Sequence, residues 1–269
     1  MYSSVCWNLT PVCNKNCEYC FRELEEPAQL LDINLGILNN LVNMGVTRIT
    51  FSGGEPFLYP NVLELIKAAH DYGITCHVIT NGAPLNSENF EEYLQYVDKI
   101  SFSCDSPRGY INDQIGRGED SYSHIKELLP LIRSKFDEKR LKININTVIT
   151  YDPTHEYEEL NYMIKAIRSD ILHHGIDKWK IIRFYPLRGK AKENKEAFWI
   201  PDEDFIEIKK KYKSESPFLT VDVRDIKELD DNLVVSPCGL LKKSSKGIEE
   251  TLVDLKPGTN FIKGGEKHV

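Results

Sequence analysis

Six strand and helix units in strict succession between Ser4 and Phe184, glycines closing the first two helices, and the fading of that alternation afterwards predict an α/β fold. The expected architecture is a partial (β/α)6 barrel, TIM-like but open, with parallel strands joined by right-handed crossovers. A complete eightfold barrel needs about 250 residues for its repeats alone, and here only residues 1–185 carry repeats. Residues 186–269 are read as a C-terminal extension capping the barrel within one continuous unit.

The first strand-like run, Ser4 to Thr10, leads directly into a cysteine-bearing loop, Pro11 to Arg22. Asn34 to Met44 places Leu35, Leu38, Leu41 and Val42 on one helical face and stops at Gly45. Arg48 to Phe51 reads as a short buried strand ending in Ser52-Gly53-Gly54-Glu55-Pro56, and Pro60 to Tyr72 as a helix stopped by Gly73. Ile74 to Thr80 is a strand, Ser87 to Tyr96 a helix, Lys99 to Ser103 a strand, and Tyr122 to Phe136 a helix bent at Pro130. Leu141 to Thr150 alternates like a strand, Tyr157 to Arg168 is helical, and Lys178 to Phe184 is again β-rich. The stretch Pro186 to Ala197, with Arg188, Lys190, Lys192 and Lys195, is the most basic. It is a solvated surface loop or a cover over an anionic substrate.

With 34 basic and 41 acidic side chains the formal net charge is −7, and the mean hydropathy is −0.39. That balance fits a soluble globular chain and gives no support to a nucleic-acid surface. No apolar run approaches the roughly 18 residues of a bilayer span, and Met1 to Thr10 lacks the form of a secretory signal, so a cytoplasmic protein without membrane contact is expected. Any anionic ligand must be met by a local basic pocket.

Seven cysteines are unevenly placed: Cys6, Cys13, Cys17 and Cys20 crowd the start, while Cys76, Cys104 and Cys238 stand alone. In a reducing compartment the cluster reads as metal chemistry rather than disulfides. Cys13-x-x-x-Cys17-x-x-Cys20 follows the first strand, at the carboxyl end of the barrel where active sites of such folds collect. Three thiolates at this spacing can each hold one iron of a four-iron cluster and leave the fourth open. A structural zinc site wants four closed ligands, and the nearest histidine is His70. The glycine pair after the second strand reaches the same rim; Gly53 and Gly54 let backbone approach a ligand, and Glu55 adds a carboxylate able to accept from an ammonium group.

At these residues the chain resembles the radical S-adenosylmethionine (SAM) superfamily: CNKNCEYCF matches its CxxxCxxC loop and SGGEP its methionine-binding turn. The resemblance implies a 4Fe-4S cluster on Cys13, Cys17 and Cys20, SAM bound at its open iron, and reductive cleavage to a 5′-deoxyadenosyl radical that takes a hydrogen atom from the substrate. ITFSGGEPFL, ISFSCDS, IGRG, INTVI and KWK are similar to segments of the viperin branch, the antiviral nucleotide dehydratases and their prokaryotic relatives. The similarity runs weakly down to FIKGGEK near the end, and the amphipathic leader of vertebrate viperins is not expected before the first strand. No second group of cysteines exists for a further cluster.

Carried over position by position, the resemblance makes Gly53, Gly54, Glu55, Pro56, Asn81, Ser103 and Arg117 contacts for SAM, the latter three reaching its ribose or the substrate. Arg48 stands where the family has a phosphate-binding lysine and Lys180 where it has a second. Asn144 replaces a third, for which Lys142, two residues earlier on the same face, is a substitute. Cys6-Trp7-Asn8 replaces an Asn-x-His, and Cys238 falls where a late tyrosine helps quench the substrate radical. The implied substrate is a nucleoside triphosphate and the implied partner an external electron donor such as flavodoxin or ferredoxin. Cys238 also fits a radical SAM epimerase, in which a thiol returns a hydrogen atom from the opposite face; a lone cysteine is otherwise a small core residue, as read for Cys76 and Cys104. An iron–sulfur redox module without SAM chemistry is the non-enzymatic alternative, though a simple carrier uses four cysteines.

Overall fold

The computed structural model describes residues 3–259 except 23, 25, 150–161, 163–165, 167–174, 213, 216–219, 226–231, 246 and 247. Strands β1 (Ser4–Asn8), β2 (Arg48–Ser52), β3 (Thr75–Thr80), β4 (Lys99–Ser103), β5 (Lys142–Ile149) and β6 (Lys178–Arg183) pair in parallel in sequence order. The expected six-unit parallel order is therefore present. Right-handed crossovers between neighbours in such an order set the connecting helices on one face.

That face is apolar. Val5, Trp7, Ile49, Phe51, Cys76, Val78, Ile100, Phe102, Ile143 and Ile145 share one core with Ile37, Leu38 and Leu41 of α1 (Leu31–Asn43), Leu65 and Ile66 of α2 (Val62–Asp71), and Ile125, Leu128 and Leu129 of α5 (Ser121–Lys135). Each such side chain contributes about 1.5–3 kcal/mol by leaving water. Because side chains alternate along a strand, the residues between them face the other way, into the concave side of the sheet.

Several boundaries depart from expectation for local reasons. α3 (Phe90–Leu94) starts late because the Asn86 side chain accepts from the backbone N–H groups of Glu88 (2.8 Å) and Asn89 (3.2 Å), holding those residues in a turn. A 3-10 turn, Pro56–Leu58, precedes α2, and α4 (Gly109–Gln114) occupies a stretch with no helix expected. α5 runs through Pro130. The helix expected over 157–168 lies outside the described residues except Tyr162 and Ala166, and FIKGGEK lies outside them entirely.

Beyond Phe184 the chain forms α6 (Gly189–Glu193), α7 (Lys195–Phe198), α8 (Asp202–Tyr212), β7 (Ser214–Glu215), β8 (Thr220–Arg224), β9 (Asn232–Val235), β10 (Leu240–Ser245) and β11 (Ile248–Asp254). These strands join the same sheet at both ends, giving the order β11-β10-β9-β1-β2-β3-β4-β5-β6-β8-β7. β8 is parallel to β6 and β9 parallel to β1, so eight consecutive strands run the same way. Leu233, Val235, Leu241 and Leu255 enter the common core, and the Asn40 side chain donates to the Leu255 carbonyl at 2.9 Å.

Candidate active site

The cysteine loop leaves β1 at the carboxyl rim and is held from three sides. On the first, Gly54 N–H donates to the Thr10 carbonyl (2.6 Å) and Glu55 N–H to that of Val12 (2.8 Å). Gly53 has φ +135°, and a Cβ on Gly54 would lie 2.1 Å from the Val12 oxygen. The backbone that approaches this glycine pair is therefore the loop itself. On the second, Asn16 N–H donates to Gly116 O (3.1 Å) and Glu18 N–H to Ile115 O (3.0 Å); a Cβ on Gly116 would meet Asn16 O at 2.3 Å.

The basic 186–197 stretch supplies the third side. Ala191 N–H donates to Cys20 O (3.1 Å), Lys190 Nζ lies 2.8 Å from a Glu18 oxygen, and the Asn194 amide donates to Glu18 O (2.9 Å). Arg188 pairs with Glu249 at 2.6 Å. Two of its four cations are thus engaged with the cysteine loop and β11.

Within the loop, Tyr19 donates to the Asp105 carboxylate, which also receives Arg117 Nε (2.6 Å) and, on its other oxygen, Val148 N–H (2.8 Å). Arg117 further contacts the Tyr19 hydroxyl, and all three side chains are buried. Arg117, expected at the SAM ribose or substrate, thereby fixes the segment between Cys17 and Cys20. Asn81 donates to the Asn14 side chain (2.8 Å) and lies 3.7 Å from Cys13 Sγ. Glu55 is fully buried, accepting from Thr80 Oγ1 (2.7 Å), Asn81 N–H (2.8 Å) and Phe57 N–H (3.2 Å). Burial pushes its carboxyl up to about 7 despite these donors.

The donor set suits a multi-iron cluster. Cys13 and Cys20 are half-exposed and Cys17 is buried, all three as free thiols on one pinned loop. Burial raises the Cys17 thiol while the nearby Arg117 guanidinium opposes the rise, and Cys13 and Cys20 are close enough to add to it. Among the described residues no group of three His, Cys, Asp or Glu side chains is arranged to hold a single metal ion.

Below the rim the concave face is polar and rich in cations. Arg48 opens β2 and Ser52 closes it, so its charge and the cysteine rim are separated by a strand about 13 Å long, from a rise of ~3.3 Å per residue. Lys180 is in register with Asn146 and Asp222, and burial with the charges of Lys99 and Arg224 lowers it to about 8. His77 joins Thr50 Oγ1 (3.2 Å) to Ser101 Oγ (2.8 Å), and burial with Lys99, Lys180 and Arg48 nearby lowers it to about 3. Among the described residues, Asn144, in register with Ser101 and buried, has no partner for its Nδ2, and Asn146 has none for its Oδ1. Ser103 sits at the rim opposite Asn146. Lys142 is exposed at the amino end, 2.8 Å from Asp177.

Cys238 follows β9 at the carboxyl rim. Its thiol lies 3.2 Å from Ser236 Oγ and donates to Glu26 (3.1 Å), whose other oxygen holds Lys242 at 2.9 Å. Burial and the Glu26 carboxylate raise this thiol. Cys76 and Cys104 are buried, as read. Cys6 faces the concave side, between Thr50 and Val234 in register, and burial pushes it up to about 11. The site residues not anticipated are Tyr19, Asp105, His77 and Lys99. Alternation alone would have put His77 and Lys99 on the concave face, but no spacing links them to the motifs.

A family model described as the Radical SAM superfamily matches residues 7–167. A protein of Flammeovirga pacifica named S-adenosylmethionine-dependent nucleotide dehydratase is 26% identical over 91% of this chain and 83% of its own length. One of the same name from a Fibrobacter strain is 31% identical over 68% of this chain, which spans 56% of it, and the RSAD2 protein of Oncorhynchus mykiss is 28% identical over 79%, with 61% of its length spanned. Among solved structures, anSMEcpe with bound AdoMet and a peptide superposes with TM-score 0.66 at 14% identity, over 90% of this chain and 74% of that one. Coproporphyrinogen III oxidase of Escherichia coli superposes with TM-score 0.55 at 11% identity, over 90% of this chain and 67% of that one. At such identities these structures speak for the fold alone.

Proposed function

The chain belongs to the radical SAM superfamily, and from that membership we propose that it is a viperin-like nucleotide dehydratase, converting a nucleoside triphosphate to its 3′-deoxy-3′,4′-didehydro form. The observation that carries the reading is the concave face: Arg48, Lys99 and Lys180 gather along it, with Arg48 a strand's length from the rim of the three thiols. A substrate with its reacting carbon at the rim and its charge on Arg48 and Lys180 is elongated and anionic at one end, as a nucleoside triphosphate is. The likeness to proteins named nucleotide dehydratases over 91% of the chain supports the same class.

Held by Cys13, Cys17 and Cys20, a 4Fe-4S cluster with SAM supplies reductive carbon–sulfur cleavage and a 5′-deoxyadenosyl radical. The turn of Gly53, Gly54, Glu55 and Pro56, with Asn81 and Ser103, forms the SAM side of the site. Arg117 acts through the cysteine loop it fixes, and the barrel wall positions the sugar and excludes water. Once the 4′ hydrogen is gone, loss of the 3′ hydroxyl as hydroxide, protonated to water, leaves a radical cation. One electron converts it to the alkene. Cys238 at the rim gives that electron and, from its thiol, the proton that turns the hydroxide into water, and an external donor such as flavodoxin or ferredoxin in a reducing cytoplasm returns one electron, with a solvent proton, to the resulting thiyl radical.

The hydrogen-bonded rim thiol favours one second reading, an epimerase in which Cys238 gives its hydrogen atom to the substrate radical. Offering each common nucleoside triphosphate with SAM and a reductant in deuterated water separates the two. The dehydratase reading expects 5′-deoxyadenosine and a product lighter by one water; an unchanged skeleton with one non-exchangeable deuterium means epimerisation. If no nucleotide raises SAM cleavage above the uncoupled background, the nucleotide reading falls. Cys238→Ala is expected to impair turnover and leave cluster assembly intact.

A further inference from the structure

We propose that Lys99, on β4, is the third cation of the phosphate site and takes over, one strand away, from the position where β5 carries Asn144. The proposal rests on the nucleotide reading for the identity of the anion and goes beyond it in naming the residue. Register places Lys99 beside His77 of β3 and Lys142 of β5, and Ser101 beside Asn144. Ile100 and Phe102 point into the helix-side core, so Lys99 belongs to the concave face.

The two candidate lysines differ in what they already hold. Lys142 is exposed, and its Nζ is 2.8 Å from Asp177, whose other oxygen accepts Ile143 N–H at 2.8 Å and lies 3.5 Å from Arg133. Lys178 and Arg224 share Asp222 at 2.7 and 2.6 Å. Lys99, Arg48 and Lys180 have no ion-pair partner among the described residues. Lys99 is the centre of that uncompensated group. Its charge is the largest electrostatic influence lowering both His77 and Lys180, and burial together with Lys178 and Arg48 lowers Lys99 itself, against Asp177.

Three like charges around a half-buried floor oppose folding, and an anion bound among them reverses the sign of that repulsion. Beside them Asn144, 1% exposed, carries a donor without an acceptor among the described residues. A phosphate oxygen supplies what the amide lacks. Both ring nitrogens of His77 are engaged by hydroxyls, so it stays neutral and orients Thr50 and Ser101 rather than competing for the anion.

The test uses the full, cluster-reconstituted chain and inorganic triphosphate as the probe, by titration calorimetry and thermal unfolding. Lys99→Met is expected to weaken binding about tenfold or more, as for loss of one charge-assisted contact. It should leave the ligand-free midpoint unchanged or higher, since a repelling charge is removed. Lys99→Arg should retain most of the affinity, and Lys142→Met should bind within twofold of wild type. With the triphosphate probe, any of four results overturns the proposal: no binding by wild type, Lys99→Met binding within twofold of it, Lys142→Met losing as much, or Lys99→Met melting lower without ligand. Triphosphate binding without turnover of any nucleotide would sink the dehydratase reading and leave this site standing. Normal nucleotide KM in Lys99→Met would do the reverse.

Discussion

Asp105 is the residue on which the cysteine loop turns, because one buried carboxylate receives Tyr19 from the loop, Arg117 from the 115–118 turn and Val148 from β5. Removing it leaves a buried guanidinium uncompensated, so Asp105→Ala should cost about 3–5 kcal/mol in urea unfolding and lower the iron bound per chain. The titration of two other buried groups runs in opposite directions. His77 is neutral in the fold down to about pH 3 but takes up a proton near 6.5 when unfolded, so its contribution is full above 6.5 and is lost as pH falls from 6.5 towards 3. Glu55 has its folded value raised to about 7, so its contribution is present below about 4.5 and is lost as pH rises from there to 7. Each group bends the stability curve by up to about 1.4 kcal/mol per pH unit. His77→Gln should flatten the acid side and Glu55→Gln the neutral side; identical curves for wild type and variants would contradict these assignments. The motif positions Cys13, Cys17, Cys20 and the glycine pair were legible because their chemistry is written in local spacing. Tyr19 with Asp105 was not, since 86 residues separate partners that only the fold brings together.

The glycine turn shows what an element can hide. Its glycines were legible as a close approach, but not that the approaching chain is Thr10 to Val12. Gly54→Ala would drive a Cβ to 2.1 Å from the Val12 oxygen, so it should displace the loop and abolish iron incorporation while circular dichroism stays native. Gly73→Ala is the matched control: φ is +74° but nothing lies within 4 Å, so the expected cost is only about 1–2 kcal/mol with iron content unchanged. An iron-replete Gly54→Ala protein would remove the loop-seating role. The basic 186–197 stretch was legible as charge and not as structure, because the partners of Lys190 and Arg188, Glu18 and Glu249, are 172 and 61 residues away. Helix ends were misread where a side chain such as Asn86 competes for backbone donors.

Across the whole molecule, alternation of strands and helices gave the parallel order of β1 to β6, since crossovers are local. The pairing of β9 with β1 was illegible, because a four-residue strand far along the chain carries no signal of its neighbour. That pairing covers one edge of β1 and brings Leu233 and Val235 into the common core. A chain ending at Asp225 should therefore fail to give soluble folded protein, and a cooperatively unfolding truncation would show the first six units to be independent. The thiols at the rim and the cations along the concave face, Arg48 at the far end of β2, together carry the central proposal: that the radical is aimed at the sugar of a nucleotide whose phosphates lie on those cations. The most direct measurement is the mass of 5′-deoxyadenosine formed with a nucleoside triphosphate deuterated at the 4′ carbon. The account predicts one deuterium transferred into 5′-deoxyadenosine together with a product lighter by one water. 5′-Deoxyadenosine free of deuterium with every common nucleoside triphosphate would contradict it.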